Sequence, residues 1–235
     1  MSTDSGKAER TILAVAAHPD DEILGCGGTL ARHAAEGDMV HVMIVAEGAT
    51  SRNARLEPHG REPALAALRA ASSRAAAIIG ACEPHLLGLP DNRLDSLPLL
   101  DVIRPIEAVV GTVTPEIVYT HHAGDLNVDH RIVHQATVTA CRPLPESPVR
   151  AIYAFETVSS TEWQSGGDPF RPQRWVNIEP FLSNKRRALE AYVAEISSFP
   201  HARSFKAIDA LARVRGATAG LKAAECFMVV REVAP

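Results

Sequence analysis

Cysteine is scarce and scattered in this chain. The four residues Cys26, Cys82, Cys141 and Cys226 stand far apart, and no Cys-x-x-Cys pair occurs. A thiolate metal site and a disulfide framework are thereby excluded, and the cysteines read as small buried apolar residues. Long apolar runs are missing as well. Nothing approaches the length of a membrane span, and residues 1–10 are polar, of mixed charge, and without the apolar core of a secretory signal. The expectation is a cytoplasmic protein with a flexible segment over residues 1–10 and one domain over 11–235. No charge of one sign predominates: 24 Lys and Arg face 28 Asp and Glu, for a net charge of −4, and the basic residues are spread along the chain. Nucleic acid is therefore not an expected partner. Internal repeats and low-complexity tracts are lacking too.

What is present is strand and helix in alternation. At 235 residues, 46% of them hydrophobic, the chain can bury a full core as one α/β domain. Residues 11–17 (TILAVAA) form a continuous apolar run, as in a strand buried on both faces. Helical spacing follows over 22–36, ending at Gly37, then a second strand over 40–46 (VHVMIVA). A polar loop, 47–60, leads to an Ala- and Arg-rich helix over 62–79, closed by Gly80. Residues 85–89 read as a short strand entering the turn Pro90-Asp91-Asn92-Arg93, and 97–113 as a helix that Pro105 should kink or begin. Strands are expected at 116–120, 150–157, 176–178 and 225–230, and helices ending near Cys141, over 180–197 and over 204–219. Lys185, Arg186 and Arg187 are placed on the solvated side of their helix, and 159–173, rich in Ser, Gly and Pro, is read as a covering loop. The order implies a Rossmann-like, mostly parallel sheet with helices on both faces, which binds ligands beyond its strand C-termini.

Two constellations fall on that rim. His18-Pro19-Asp20-Asp21-Glu22 begins immediately after the first strand. Four ionisable side chains in five residues are costly to bury without a partner, and a divalent metal is the simplest one. His18 and Asp21 can converge on one ion, leaving Asp20 beside it; the competing reading is a carboxylate that merely caps the next helix. Gly25, Gly27 and Gly28 permit close backbone approach, but their order does not match a dinucleotide-binding fingerprint. The second constellation, His121-His122-Ala-Gly-Asp125-Leu-Asn127-Val-Asp129-His130, follows another strand. His130 opens a helix and is the candidate third ligand. Asp125 or Asp129 can orient an imidazole, and His121 can still belong to the strand. Ordinary turn chemistry at Gly124, Asp125 and Asn127 is the alternative.

These residues resemble the PIG-L/LmbE-like zinc-dependent deacetylases, which remove acyl groups, chiefly N-acetyl from glucosamine-type sugars. The likeness rests on Ala17-His-Pro-Asp-Asp-Glu22 with Gly25–Thr29, on Asp129-His130, and on the strands before both. It implies His18, Asp21 and His130 as zinc ligands, Asp20 as general base, and Arg69 and Asp91 as substrate contacts. Many members carry a histidine where this chain has Asn127. Three readings of the oxyanion partner stand open: Asn127 donates, His122 reaches in, or the metal does most of the polarising. The expected substrate is a small amide, an N-acetylglucosamine-type sugar or conjugate. The alternatives are a bulkier amide such as a thiol conjugate, and a non-catalytic sugar- or nucleotide-binding module. Other divalent transition metals suit the same ligands, and homo-oligomer formation is left open.

Overall fold

In the computed structural model, residues 9–49, 58–164 and 166–234 are described. Most of the expected N-terminal segment, residues 1–8, lies outside them, as do residues 50–57 of the expected polar loop. The apolar run becomes β1 (Thr11–Ala16), buried from Ile12 onward, and α1 (Asp21–Ala35) leads to β2 (Met39–Ala46). Next come α2 (Pro58–Ile79), β3 (His85–Leu89), α3 (Leu99–Val113), β4 (Ile117–His121) and α4 (Val128–Ala140). The chain ends with β5 (Ala151–Phe155), β6 (Arg174–Asn177), α5 (Leu182–Ala191), α6 (Phe205–Ala217) and β7 (Ala224–Glu232).

The seven strands form one sheet in the order β3-β2-β1-β4-β5-β7-β6. β1 to β5 pair in parallel, and β7 and β6 add an antiparallel edge. Apolar layers cover both faces, one around Ile12, Leu30, Tyr119 and Phe227, the other around Leu13, Val102, Ile106 and Val118. The strand order reverses between β1 and β4, and at that switch point such sheets place ligands in a crevice beyond the strand ends. No helix among the described residues is long and apolar enough to cross a membrane.

Three expectations need correction. Pro105 neither starts nor breaks α3; the helix runs through it. Its lost amide bond would have fallen on the carbonyl of the exposed Asp101, which water can reach, while Val102, Ile103, Ile106 and Val110 bury one continuous stripe. Cys82 is exposed, unlike the other three cysteines. Lys185 is buried, not solvated.

That lysine splints a break in α1. At Cys26 the backbone leaves helical geometry (φ −143°, ψ 15°), which frees a carbonyl before the break and two amides after it. Lys185 Nζ donates to Leu24 O at 2.8 Å, and Glu225 accepts from Gly28 N at 2.9 Å and Thr29 N at 2.7 Å. The two side chains pair at 2.6 Å. Gly25 sits where a Cβ would collide with the Phe155 ring, so the first half of α1 can lie directly on β5. The segment that presents Asp21 is thus fixed from below.

At the opposite end of β1, Arg10 is held rather than loose. Asp38, its side chain 1% exposed, accepts from Arg10 Nε at 3.1 Å, and its Oδ2 lies 2.6 Å from His33 Nδ1. Burial opposes its charge, but the hydrogen bonds from Arg10 and His33 outweigh it and bring the carboxyl down to about 2. A carboxyl lowered on folding stabilises the native state above its unfolded pKa near 4 and loses that contribution as pH falls toward 2. Unfolding midpoints measured from pH 6 to pH 2 should show an acid loss of stability that is smaller in Asp38→Asn than in the wild type by about 2 kcal/mol.

Candidate active site

Beyond β1 the chain turns sharply. Asp20 takes φ 103°, a left-handed conformation that non-glycine residues seldom adopt, and the turn separates its side chain from that of Asp21. Glu22, whose role the motif alone did not reveal, holds this turn. Its Oε2 accepts from Asp20 N at 3.1 Å and its Oε1 from the Tyr192 hydroxyl at 2.7 Å. Burial raises the Glu22 carboxyl to about 7.

Three side chains converge at the switch point. Asp21 Oδ2 lies 3.3 Å from His18 Nδ1 and 3.2 Å from His130 Nε2, and all three residues are buried. Each imidazole has a carboxylate at its other nitrogen. His18 Nε2 faces Asp129 Oδ2 at 3.1 Å, and His130 Nδ1 faces Asp125 Oδ1 at 3.2 Å. Such partners fix a ring's tautomer so that its remaining nitrogen presents a lone pair. Both carboxylates are anchored: Asp129 accepts from Asn92 N (2.7 Å) and Leu94 N (3.0 Å), Asp125 from the Ser160 hydroxyl and from Thr161 Oγ1 (2.5 Å). Burial opposes a charge on His18, but the Asp129 and Asp21 carboxylates outweigh it and raise the imidazole to about 10. A field that holds a proton so firmly also favours a metal cation.

The donor set fits one. Asp21 Oδ1 and His130 Nε2 are buried without a hydrogen bond, an expensive arrangement unless an ion completes it. Single ligand atoms from His18, Asp21 and His130 lie within 4.8 Å of one another, and two imidazoles plus a carboxylate leave a fourth position open, as catalytic sites do. His121, stacked on His130 at 3.9 Å, is not available to such an ion. Its Nε2 accepts from Ala17 N at 2.8 Å, which ties β4 to β1.

The remaining candidates are placed unequally. Asp20 and Asp91 are buried beside the cluster, Asp91 Oδ1 lying 3.3 Å from His18 Nε2. His122 sends Nε2 to Asp168 O at 2.8 Å, its ring edge-on to Phe170. Asn127 is the N-cap of α4: its Oδ1 accepts from Asp129 N at 2.8 Å, while its Nδ2 donates to Asn92 Oδ1 at 3.0 Å. Arg69 lines a cavity with Pro19, Ala46 and Glu47; its side chain is 57% exposed and pairs with Glu62. Arg203, which no motif flagged, reaches Asp20 Oδ2 at 2.8 Å.

A buried two-histidine, one-aspartate set at the switch point of a parallel sheet has the donors of a divalent-cation site. The chain belongs to the PIG-L family, described as GlcNAc-PI de-N-acetylase, whose model matches residues 13–141. It is 32% identical over 194 residues to the uncharacterized deacetylase YaiS of Escherichia coli (strain K12), covering 80% of this chain and 93% of that protein. Among solved structures, the N,N'-diacetylchitobiose deacetylase from Pyrococcus horikoshii superposes with a TM-score of 0.76 at 16% identity, covering 95% of this chain and 85% of that one. GalB, the 4-carboxy-2-hydroxymuconate hydratase from Pseudomonas putida KT2440, gives 0.77 at 21% identity, covering 96% and 98%. One fold therefore carries both a deacetylase and a hydratase, and the reaction is set by the site residues.

Proposed function

We propose that this protein is a zinc-dependent deacetylase that removes the N-acetyl group from an N-acetylglucosamine-type sugar or conjugate. The carrying observation is the division of labour between adjacent carboxylates: Asp21 faces both imidazoles, while Asp20 stands buried beside them with a different partner. His18, Asp21 and His130 would hold the cation, and zinc suits two imidazoles and a carboxylate. When bound, it supplies Lewis acidity, polarising the amide carbonyl and lowering the pKa of water.

The chain's own residues do the rest. Asp20 accepts a proton from the attacking water and returns it to the departing nitrogen, so the C–N bond breaks to give acetate and a free amine. Asp125 and Asp129 keep the imidazoles oriented. Asp91, on the loop after β3, can accept hydrogen bonds from sugar hydroxyls. His122 Nε2 is engaged with Asp168 O, and the Asn127 amide is engaged in its cap and with Asn92. Of the three readings of the oxyanion partner, the arrangement supports the one that leaves polarisation to the cation. The 32% identity to YaiS, named a deacetylase, supports deacetylation over hydration.

The test is acetate release from a panel of N-acetylglucosaminyl compounds by zinc-loaded protein, with the chelated protein as control. Release by the loaded form alone is expected. Cleavage confined to bulkier amides would move the assignment to an amidase, and zinc-independent release would overturn the metal's role.

A further inference from the structure

His41 and His85 form a pair of imidazoles that the cluster beyond the strand ends does not use. His41 lies on β2, and His85 opens β3, the edge strand of the sheet. The two strands pair in parallel with Met43 opposite His85. Alternation puts His41 on the same face as Met43, diagonally across from His85. The ring centroids are 5.7 Å apart, with the planes tilted by 31°. Both residues are half-buried, so an ion can reach the pair from the edge of the sheet.

The spacing is that of two rings sharing a cation rather than of a stack. Imidazoles bound to one ion at about 2.0–2.1 Å place their centroids roughly 5–6 Å apart. His18 and His130, the imidazoles on either side of Asp21, are 5.4 Å apart, whereas the stacked His121 and His130 are at 3.9 Å. Hydrogen bonding points the same way. Among the described residues, histidine nitrogens buried without a hydrogen bond occur only in His130, His41 (Nδ1) and His85 (Nε2). His33, by contrast, lies between Asp38 and Tyr119, and His134 bonds to His121 O. A buried polar atom without a protein partner calls for an ion or an ordered water. Burial and the neighbouring His85 both lower the His41 pKa, so its ring is neutral at pH 7 and keeps a lone pair for a ligand.

We propose that His41 and His85 form a second cation site, for a divalent transition cation that favours imidazole, such as zinc, nickel or copper. Water from the open edge fills the remaining positions, so the site binds more weakly than the three ligands His18, Asp21 and His130. It is also separate from them. Leu13, the register partner of His41, lies near the start of β1, and His18 follows the end of that strand. At about 3.3 Å per residue, the two sites are on the order of 15 Å apart. The cation would clip the edge strand to β2 just before the register of that pair shifts between Ile44 and Ala46. β3 leads directly into the turn whose Asn92 N donates to Asp129, so the clip braces the strand that delivers this anchor.

Zinc titrated into chelated protein and followed by equilibrium dialysis should fill about one equivalent first and about one more at higher concentration. His41→Gln and His85→Gln, which keep most of the side-chain volume, should each retain the first equivalent and lose the second. His130→Ala should do the reverse, losing the tighter equivalent and keeping the weaker. With zinc about 100-fold above the weaker dissociation constant, the melting midpoint of His130→Ala should rise by roughly 5–10 °C. That rise should vanish in the double variant His130→Ala/His85→Gln, whereas a cation held elsewhere would preserve it. A single equivalent in the wild type, or a second equivalent unchanged in both glutamine variants, overturns the proposal, and the two orphaned nitrogens then bond ordered water only.

Discussion

Asp20→Asn is expected to lower kcat by about 10²–10⁴-fold, the usual contribution of a positioned general base, while bound metal stays at one equivalent. The substitution keeps the shape and the hydrogen bond that Asp20 can accept from Arg203 Nη1, and it leaves Asp21, His18 and His130 untouched. Only the capacity to take a proton is removed. His18→Ala, Asp21→Ala and His130→Ala should instead lose metal and turnover together, because each deletes one of three converging ligand atoms. Metal analysis on the same samples used for acetate release separates the two patterns. Near-normal turnover in Asp20→Asn would remove the base assignment. Loss of metal from Asp20→Asn would make Asp20 a ligand and dissolve the division of labour drawn from the geometry.

The convergence of His18, Asp21 and His130 was legible in the sequence for a physical reason. A fully apolar run that ends in ionisable residues marks the C-terminal end of a buried parallel strand, and the parallel order puts all such ends on one rim. His18, Asp21 and His130 could therefore be placed together although β1 and α4 are far apart in sequence. Asp91, on the turn after β3, was placed by the resemblance. Arg203 and Lys185 were not legible. Their partners lie 183 and 161 residues away, and an arginine near a helix start or a lysine in a basic triplet looks like a solvated side chain until the packing is known. Arg69, placed by resemblance alone, shares a cavity with Pro19, Ala46 and Glu47 and pairs with Glu62. Pro105 misleads because proline's local preference is small beside the stripe of apolar side chains that α3 buries.

The largest effect on stability should come from the pair beneath the site. Lys185→Met is expected to destabilise the fold by about 3–5 kcal/mol, the cost of leaving one member of a buried ion pair alone. Methionine keeps most of the stem's volume, so a cavity contributes little. What remains is the Glu225 charge with its two backbone donors, and a Leu24 carbonyl that has lost its cap at the break in α1. Glu225→Gln should cost a similar amount, since one amide oxygen replaces two carboxylate oxygens that serve Gly28 N, Thr29 N and Lys185 together. At about 2–4 °C per kcal/mol for a chain of this size, the melting midpoint should fall by roughly 10 °C. The measurement belongs on chelated protein, because a bound cation stabilises the folded state by mass action and would mask part of the loss. The double variant distinguishes the pair's charge from its caps. If the ion pair were the whole effect, Lys185→Met/Glu225→Gln would recover most of the stability, the coupling expected of residues in direct contact. The geometry predicts otherwise: the break at Cys26 still needs its carbonyl and amides satisfied, so the double variant should remain well below wild type. The affinity for metal should fall with it, because the same segment of α1 presents Asp21 to the two histidines.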